Sequence, residues 1–406
     1  MIGKTNATNK PGVGLSLVVS VTTGAVVTAT KGTLTVTGTA SGGSCVLALP
    51  EAGTWSVVAT YNGQTSNTAS VSVVDSYAVS LTFFSATITV TVPSGASVAL
   101  KKGGSTVQTK TSTGTAVFTV TETGSYTVEA SLDGQTTSGS VTVSSGTTSY
   151  ALTLSFVNST LNDNEWSVIK TVSDAGEGAN YWSIGDRKAV ALSGTVGALS
   201  MSGTHYAFII GFNHNSGVEG SGRIHFQFGK TALSGGSDIC FVDSKYGNTG
   251  SDAAFRMNTS NTNSGGWNNS YMRNTICPAF KNALPAALKS VLKTVTKYTD
   301  NTGNSTAASA VTATTDDIFL LAEYEVFGTI ARGNTNESSK QQQYAYYSAG
   351  NSKIKNKHSA TGEAAYWWLR SPYSGNSTRF VRVSTDGTVN GNTAYISNGF
   401  APGFCV

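Results

Sequence analysis

The sequence predicts a mainly β chain in three parts: two tandem β-sandwiches followed by a larger α+β domain. Three observations carry that expectation. The first 157 residues contain an internal repeat with an offset of 71, each copy alternates apolar and polar residues, and the composition changes abruptly near Asn158. A chain of 406 residues exceeds one ordinary core, which agrees with two or three domains.

Composition narrows the class. The chain holds 45 Gly, only 7 Pro and only 12% charged residues, with abundant Thr, Ser and Val. Low charge with many β-branched residues favours strands and turns over disorder. A formal net charge of +4 is small at this length and unclustered, so no nucleic-acid partner is expected. No run of ~18 apolar residues occurs, so membrane insertion is not expected either. The opening "MIGKTNATNKPGVGLSLVVSVTTGAVVTA" has the outline of a signal peptide, but Thr, Ser and Gly interrupt it. The repeat assigns its latter half to a strand instead.

The repeat is read residue by residue. "GAVVTA" at Gly24 aligns with "GASVAL" at Gly95, and "PEAGTWSVVATYNGQTS" at Pro50 with "TETGSYTVEASLDGQTT" at Thr121. "YAVSLTF" at Tyr77 aligns with "YALTLSF" at Tyr150, where the offset has grown to 73. Trp55, Val57 and Ala59 share one face, as do Tyr126, Val128 and Ala130. Asn62-Gly63 and Asp133-Gly134 are hairpin turns, because both central positions of a type I′ turn need positive φ. Short strands at even spacing imply sandwiches of roughly 70–80 residues each. Each copy resembles the bacterial Ig-like modules of phage structural and bacterial surface proteins. This half has 6 Lys, 5 Asp/Glu and no His, which suits a spacer and not a catalyst. The boundaries expected are 1–76, 77–157 and 158–406.

Beyond Asn158 lie five of the six Trp and all four His. "CPAFKNALPAALKSVLKTVTKYT" reads as a helix with Phe280, Leu284, Leu288, Leu292 and Val295 on one face, and Pro285 as a kink or break. Its Lys281, Lys289, Lys293 and Lys297 read as a solvated face. "DDIFLLAEYEVFG" reads as a buried strand from Ile318 to Leu321 running into a turn, Asp316-Asp317 as a turn or cap at its start, and "TSNTNSGGWNNSYMR" as loop. Cys45, Cys240, Cys277 and Cys405 show no metal or Ig-type spacing; Cys240 and Cys277 could pair, but isolated buried thiols are the expectation.

Signals for chemistry are sparse. His214 and His225 flank Glu219 without the spacing of a helical metal pair, and His225 reads as a structural strand residue. His205 and His358 lack partners nearby in sequence. "SGVEGSGR" lacks the Lys-Ser/Thr of a phosphate loop. No enzyme and no cofactor are expected; calcium has oxygen donors available but no signature spacing.

The segments "EWSVIKTVSDAGEGANYWSIGDRKAVAL", "FIIGFNHN", "EGSGRIHFQFGK", "GGWNNSYMR", "FLLAEYEVFG", "YWWLRSP" and "GFAPGFCV", in that order, resemble a domain family common in phages of gut Firmicutes. The resemblance covers about residues 160–406, and WWLRSP and APGFCV are its most specific marks. That family resembles the C-type-lectin-like fold of the formylglycine-generating-enzyme type, whose reactive cysteine motif is missing here. Several members are variable proteins of diversity-generating retroelements, in which a reverse transcriptase rewrites adenines in a short C-terminal stretch. The resemblance implies a phage receptor-binding protein in the virion, its Ig-like parts a stalk or virion attachment and its variable stretch at 371–399. The candidate contacts carried over are Tyr373, Ser374, Asn376, Ser377, Arg379, Arg382, Asn390, Asn392, Tyr395 and Asn398.

The residue types suit that role. Tyr offers rigid contact area at low entropic cost, Asn and Ser offer adaptable hydrogen bonds, and Arg holds carboxylates or stacks on rings. Phe380, Val381, Val383, Val389, Ile396 and Phe400 are the expected apolar frame, with Trp367, Trp368 and Leu369 beneath it. Arg370 is expected to be a structural ion-pair or carbonyl-clamping residue and not a ligand contact. Expected partners are a host surface glycan or protein, other virion proteins, and copies of the chain itself in a homo-oligomer, a trimer by analogy with phage fibres. The rival readings are a bacterial surface adhesin, a capsid decoration protein and a surface-glycan hydrolase, the last requiring paired carboxylates across a cleft.

Overall fold

A computed structural model describes residues 14–406, so the first part of the signal-like opening lies outside the described residues. The chain is mainly β and divides into two compact units, 1–156 and 157–406.

The first unit is two Ig-like sandwiches. In the first, a sheet ordered Ser44–Ala48, Ser16–Ser20, Ser76–Ser80 faces a sheet ordered Leu34–Thr39, Val26–Lys31, Gly53–Tyr61, Gln64–Thr65. Alternation does what the sequence requires: Trp55, Val57 and Ala59 are buried against Leu17, Val19 and Val27, while the intervening Ser56 and Thr60 face out. The second sandwich repeats the plan. Tyr126, Val128 and Ala130 join Ile88, Val90 and Phe118 in its core. Both hairpin turns take the predicted conformation, with φ of 48° and 80° at Asn62 and Gly63 and of 48° and 82° at Asp133 and Gly134. In each sandwich the last strand runs parallel to the first: Ser76–Ser80 beside Ser16–Ser20, and Ser149–Thr153 beside Ala86–Thr91.

That pairing moves one boundary. The expected break after 76 would cut off the closing strand of the first sandwich, whose core continues to Leu81; the second starts at Ala86. The repeat itself says as much, since Tyr77 aligns with Tyr150 in the last strand of the second copy.

The second unit is α+β around a five-stranded sheet ordered Arg187–Val196, Leu199–Phe212, Ile224–Lys230, Gly403–Cys405, Ile318–Phe319. Every residue of Ile224–Lys230 is buried, because it is a central strand covered on both faces. The helices Trp166–Asp174 and Cys277–Ala283 contribute Trp166, Ile169 and Phe280 to the same core. A separate three-stranded sheet, Trp367–Pro372, Arg379–Val383, Val389–Thr393, carries the candidate binding stretch. All four cysteines are free and buried. Among the described residues, no helix is long and apolar enough to cross a membrane.

The expected helix is broken. Proline lacks an N–H and excludes the residue before it from the helical region, so Leu284 turns extended (φ −70°, ψ 149°) between Cys277–Ala283 and a single turn at Ala286–Lys289. Phe280, Leu284 and Leu288 are buried as expected, but Val295 opens a strand, Val295–Asp300. Lys297 is therefore core and not solvated face. The apolar strand at Ile318 is shorter than expected, ends at Phe319, and leads through buried Leu320 to Ala322 into a helix, Glu323–Phe327. Asp316 ends a strand instead of starting one; it is buried, accepting from Trp267 Nε1 at 3.1 Å and Arg273 Nε at 2.6 Å.

Each unit owns its cores. Residues 157–406 expressed alone are expected to unfold cooperatively with a melting temperature within a few degrees of the transition of that unit in the full chain; a non-cooperative melt in the fragment would show that the unit does not fold alone.

Candidate functional site

The stretch after Trp367 builds a surface on a buried frame. Phe380, Val381, Val383 and Phe400 are fully buried, as are Trp367, Trp368 and Leu369, whereas Val389 and Ile396 pack partly exposed against the core. Arg382 pairs with Asn390 and Phe380 with Asn392, so these four side chains share one face of the hairpin; Arg379 pairs with Thr393 on the other. Ser377, Arg379 and Asn390 are exposed, and Tyr373, Ser374, Asn376, Arg382, Asn392 and Tyr395 are half-buried with part of each side chain at the surface. Asn398 is the exception. It is 1% exposed, because the chain there turns back into the core and its backbone N–H donates to Phe255 O at 3.1 Å; it is removed from the contact set.

The loop between the first two strands is held from outside. Asn263 Nδ2 donates to the carbonyls of Asn376 and Arg379, both at 2.9 Å, and more weakly to that of Tyr373 at 3.3 Å. From the other side, Arg332 O accepts from Ser374 N–H at 2.9 Å and Oγ at 3.1 Å, and Arg332 Nη1 donates to Tyr373 Oη at 3.1 Å. The turn bearing Arg332 is itself clasped by the buried Glu323 carboxylate, which accepts the N–H groups of Ala331, Arg332 and Gly333 at 2.6–3.0 Å. Asn376 is partly used locally, its Oδ1 accepting from Thr378 N–H and Oγ1. Arg382 lays its guanidinium over the Tyr366 ring, 3.5 Å from the centroid.

Beneath the hairpin lies a buried charge network that the sequence did not disclose. Lys297 Nζ, 1% exposed as a residue, donates to Glu219 Oε2 at 2.7 Å, Tyr344 Oη at 2.8 Å and Glu325 Oε1 at 3.1 Å. Arg370 grips the same Glu325 with two bonds of 2.5 and 2.8 Å, and also donates to Leu320 O and Thr299 Oγ1. Arg370 is thus both an ion-pair residue, with Glu325, and a carbonyl-clamping one, at Leu320 O. His214 stacks on Tyr344, ring centroids 3.7 Å apart, and His225 Nδ1 meets Tyr344 Oη and Cys405 Sγ, each at 3.2 Å. Distant pieces of sequence, including His214, Glu219 and His225, converge here.

Burial and neighbouring charge divide the titrating groups. Burial pushes the Glu219 and Glu337 carboxyls up to about 7. Burial also works upward on Glu325, but the Arg370 and Lys297 cations outweigh it and hold that carboxyl well below its usual range. Burial, assisted by Lys297, lowers His214 to about 3 and His225 well below the usual imidazole range, so both rings are neutral at pH 7. The ionised Glu325 carboxylate therefore faces the Arg370 and Lys297 cations, the Glu219 carboxyl is raised toward its neutral form, and no imidazolium joins them.

Donor atoms of His214, Glu219 and Glu325 lie within 4.8 Å of one another, a spacing that would suit a metal. Lys297 decides against one: its ammonium already stands between the two carboxylates, so an ion would have to displace a buried, fully bonded lysine. The paired carboxylates facing each other across a cleft that a glycan hydrolase needs are not offered by this network either, because both are buried and bridged by Lys297.

A family model described as a domain of unknown function (DUF6273) matches residues 240–406, which take in the hairpin, Lys297, Glu325 and Arg370. No curated protein matches the chain. Among solved structures, GBS52, the minor pilin of the gram-positive pathogen Streptococcus agalactiae, aligns at 9% identity over 35% of this chain and 96% of its own, with a TM-score of 0.24. The TIE protein of Bacillus anthracis aligns at 11% identity over 54% of this chain and 45% of its own, with a TM-score of 0.17. Similarity at those scores carries no argument about this chain.

The network generates two predictions. Glu325→Gln strands Arg370 and half of Lys297 in the core and should cost about 3–5 kcal/mol in chemical denaturation of the 157–406 unit. The Glu337 carboxyl, raised in the folded state, keeps a proton that the unfolded chain loses between about pH 4.5 and 7. Stability should therefore fall across that window, by up to about 3 kcal/mol from this group, and Glu337→Gln should flatten the fall in melts taken at about pH 5 and 8.

Proposed function

We propose that the 157–406 unit is a non-catalytic recognition head that binds a host bacterial surface ligand through the outward side chains of the 371–399 hairpin. The observation that carries this reading is the contrast within the hairpin. Phe380, Val381 and Val383 are fully buried, while nine of the ten candidate contacts, all but Asn398, are exposed or only half-buried. Such a stretch separates what holds the shape from what touches a ligand, which is how recognition loops on rigid scaffolds work. Tyr373 and Tyr395 supply area, Asn390, Asn392 and Ser377 supply hydrogen bonds, and Arg379 supplies an exposed charge.

The Ig-like sandwiches, without His and with few charges, act as stalk or virion attachment. The host-bound particle is a phage, the head is C-type-lectin-like, and the hairpin is the stretch a retroelement diversifies; these finer points rest on the sequence resemblance. Assembly in a homo-oligomer, with several copies per particle, raises weak single-site binding by effective concentration.

Arg379→Ala, Asn390→Ala and Ser377→Ala combined are expected to reduce adsorption to host cells at least about tenfold. The melting temperature should move by less than a few degrees, because none of the three is buried. Unchanged adsorption with a correctly folded variant would remove the hairpin from the binding role.

A further inference from the structure

Beside the hairpin, the polar loop "TSNTNSGGWNNSYMR" walls a cleft of about 350 Å³. None of its nine lining residues is charged, and eight of the nine are Asn, Ser or Thr. Thr259, Ser260, Ser264, Asn269 and Asn274 are exposed there, and the half-buried Tyr271 provides the one aromatic wall. Among the described residues, the hydroxyls of Thr259, Ser260 and Ser264 make no hydrogen bond to the protein, so they face solvent with their full capacity. The buried Asn258 ties the walls together. Its Oδ1 accepts from Tyr271 N–H at 3.2 Å and its Nδ2 donates to Thr262 O at 2.6 Å.

The cleft and the hairpin are joined by main-chain and side-chain hydrogen bonds. Asn258 N–H donates to Ala394 O at 2.9 Å and Asn263 N–H to Ser377 O at 2.8 Å, in addition to the three bonds from Asn263 Nδ2 to the hairpin loop. A ligand lying across Ser377 would reach the cleft without crossing a hinge.

We infer that this cleft is a second subsite of the same recognition face and takes one or two rings of an uncharged saccharide. The inference rests on the recognition reading above and extends it to a ligand class. Sugar rings present hydroxyls that both donate and accept, and an Asn amide or a Ser/Thr hydroxyl answers in both senses. Their C–H faces pack on aromatic surface, which Tyr271 offers on the part of its ring not covered by the Arg256 guanidinium, 5.2 Å from the centroid. A phosphate or carboxylate would find no cation among the lining residues, and a peptide would find no apolar pocket for an anchor. The volume lies near the lower end of small-ligand sites, about 300–1,000 Å³. A neighbouring groove near Arg273 and Lys281 is a weaker candidate, because Arg273 is already paired with Asp316 at 2.6 Å and Lys281 with Asp317 at 2.5 Å.

The test uses the full chain and saturation-transfer NMR with the methyl glycosides of glucose, galactose, rhamnose and N-acetylglucosamine. Methyl glucuronide and glycerol phosphate serve as anionic probes. At least one neutral glycoside should bind with a Kd on the order of 1 mM. Ser264→Trp and Asn274→Trp, two exposed positions that fill the cleft, should each weaken it about tenfold or more, while Lys289→Ala, an exposed position outside both cleft and hairpin, leaves it within about twofold. Melting temperatures of both Trp variants show whether they fold, and either one alone suffices. Absence of neutral glycoside binding, binding indifferent to both Trp variants, or equal binding of the anionic probes overturns the inference. Cell adsorption separates it from the hairpin reading: hairpin variants that lose adsorption while no glycoside binds the chain refute the saccharide subsite alone, and glycoside binding with adsorption indifferent to the hairpin variants refutes the hairpin alone.

Discussion

The 157–406 unit is organised around the meeting of Lys297, Glu219, Glu325 and Arg370. Ionisable groups removed from water are tolerable only if each finds a partner at hydrogen-bond distance, because an unpaired charge in a low-dielectric interior is very costly. That condition couples segments far apart in the chain: the turn at Glu219, the strand Val295–Asp300, the helix Glu323–Phe327 and the strand Trp367–Pro372. Apolar packing alone would let these elements slide over one another at small cost. Bidentate geometry between Arg370 and Glu325 does not, and Arg370 stands on the strand from which the hairpin springs. The position of the outer surface is thus set from within.

Along the hairpin that springs from that anchored strand, buried and exposed side chains alternate closely: Trp367, Trp368, Phe380 and Val383 are buried, while Ser377, Arg379 and Asn390 are exposed. The polar loop holding Asn258 and Asn263 is bound to this same hairpin, so two stretches of chain more than a hundred residues apart present one continuous face. The sandwiches of the first unit are built on a different principle, two-residue alternation closed by Gly-bearing turns, and need no buried charge beyond their cores.

What could be read from the sequence follows from how local the signal is. Strand alternation and type I′ turns depend on neighbours within a few residues, so Trp55, Val57, Asn62 and Gly63 and their counterparts were legible, as was the apolar frame at Phe380 to Val383. Pro285 was legible as a breaker, though the apolar spacing on either side still suggested one helix where a strand begins at Val295. The charge network was not legible, because its members sit at no characteristic spacing and pair across the fold. Lys297 in particular looks in sequence like any lysine on an amphipathic face. Arg370 could be anticipated only by its place among buried tryptophans. Asn398 misled because an Asn beside a hairpin carries the same letter whether it faces water or the core.

The grip of Asn263 on the hairpin loop falls on main-chain oxygens of residues 373, 376 and 379, and that of Arg332 on Ser374 includes its main-chain N–H. Every amino acid brings the same carbonyl, and all but proline the same amide. Much of the hold on this loop is therefore indifferent to side-chain identity, and only the side-chain bonds of Tyr373, Ser374 and Asn376 tie it to particular residues.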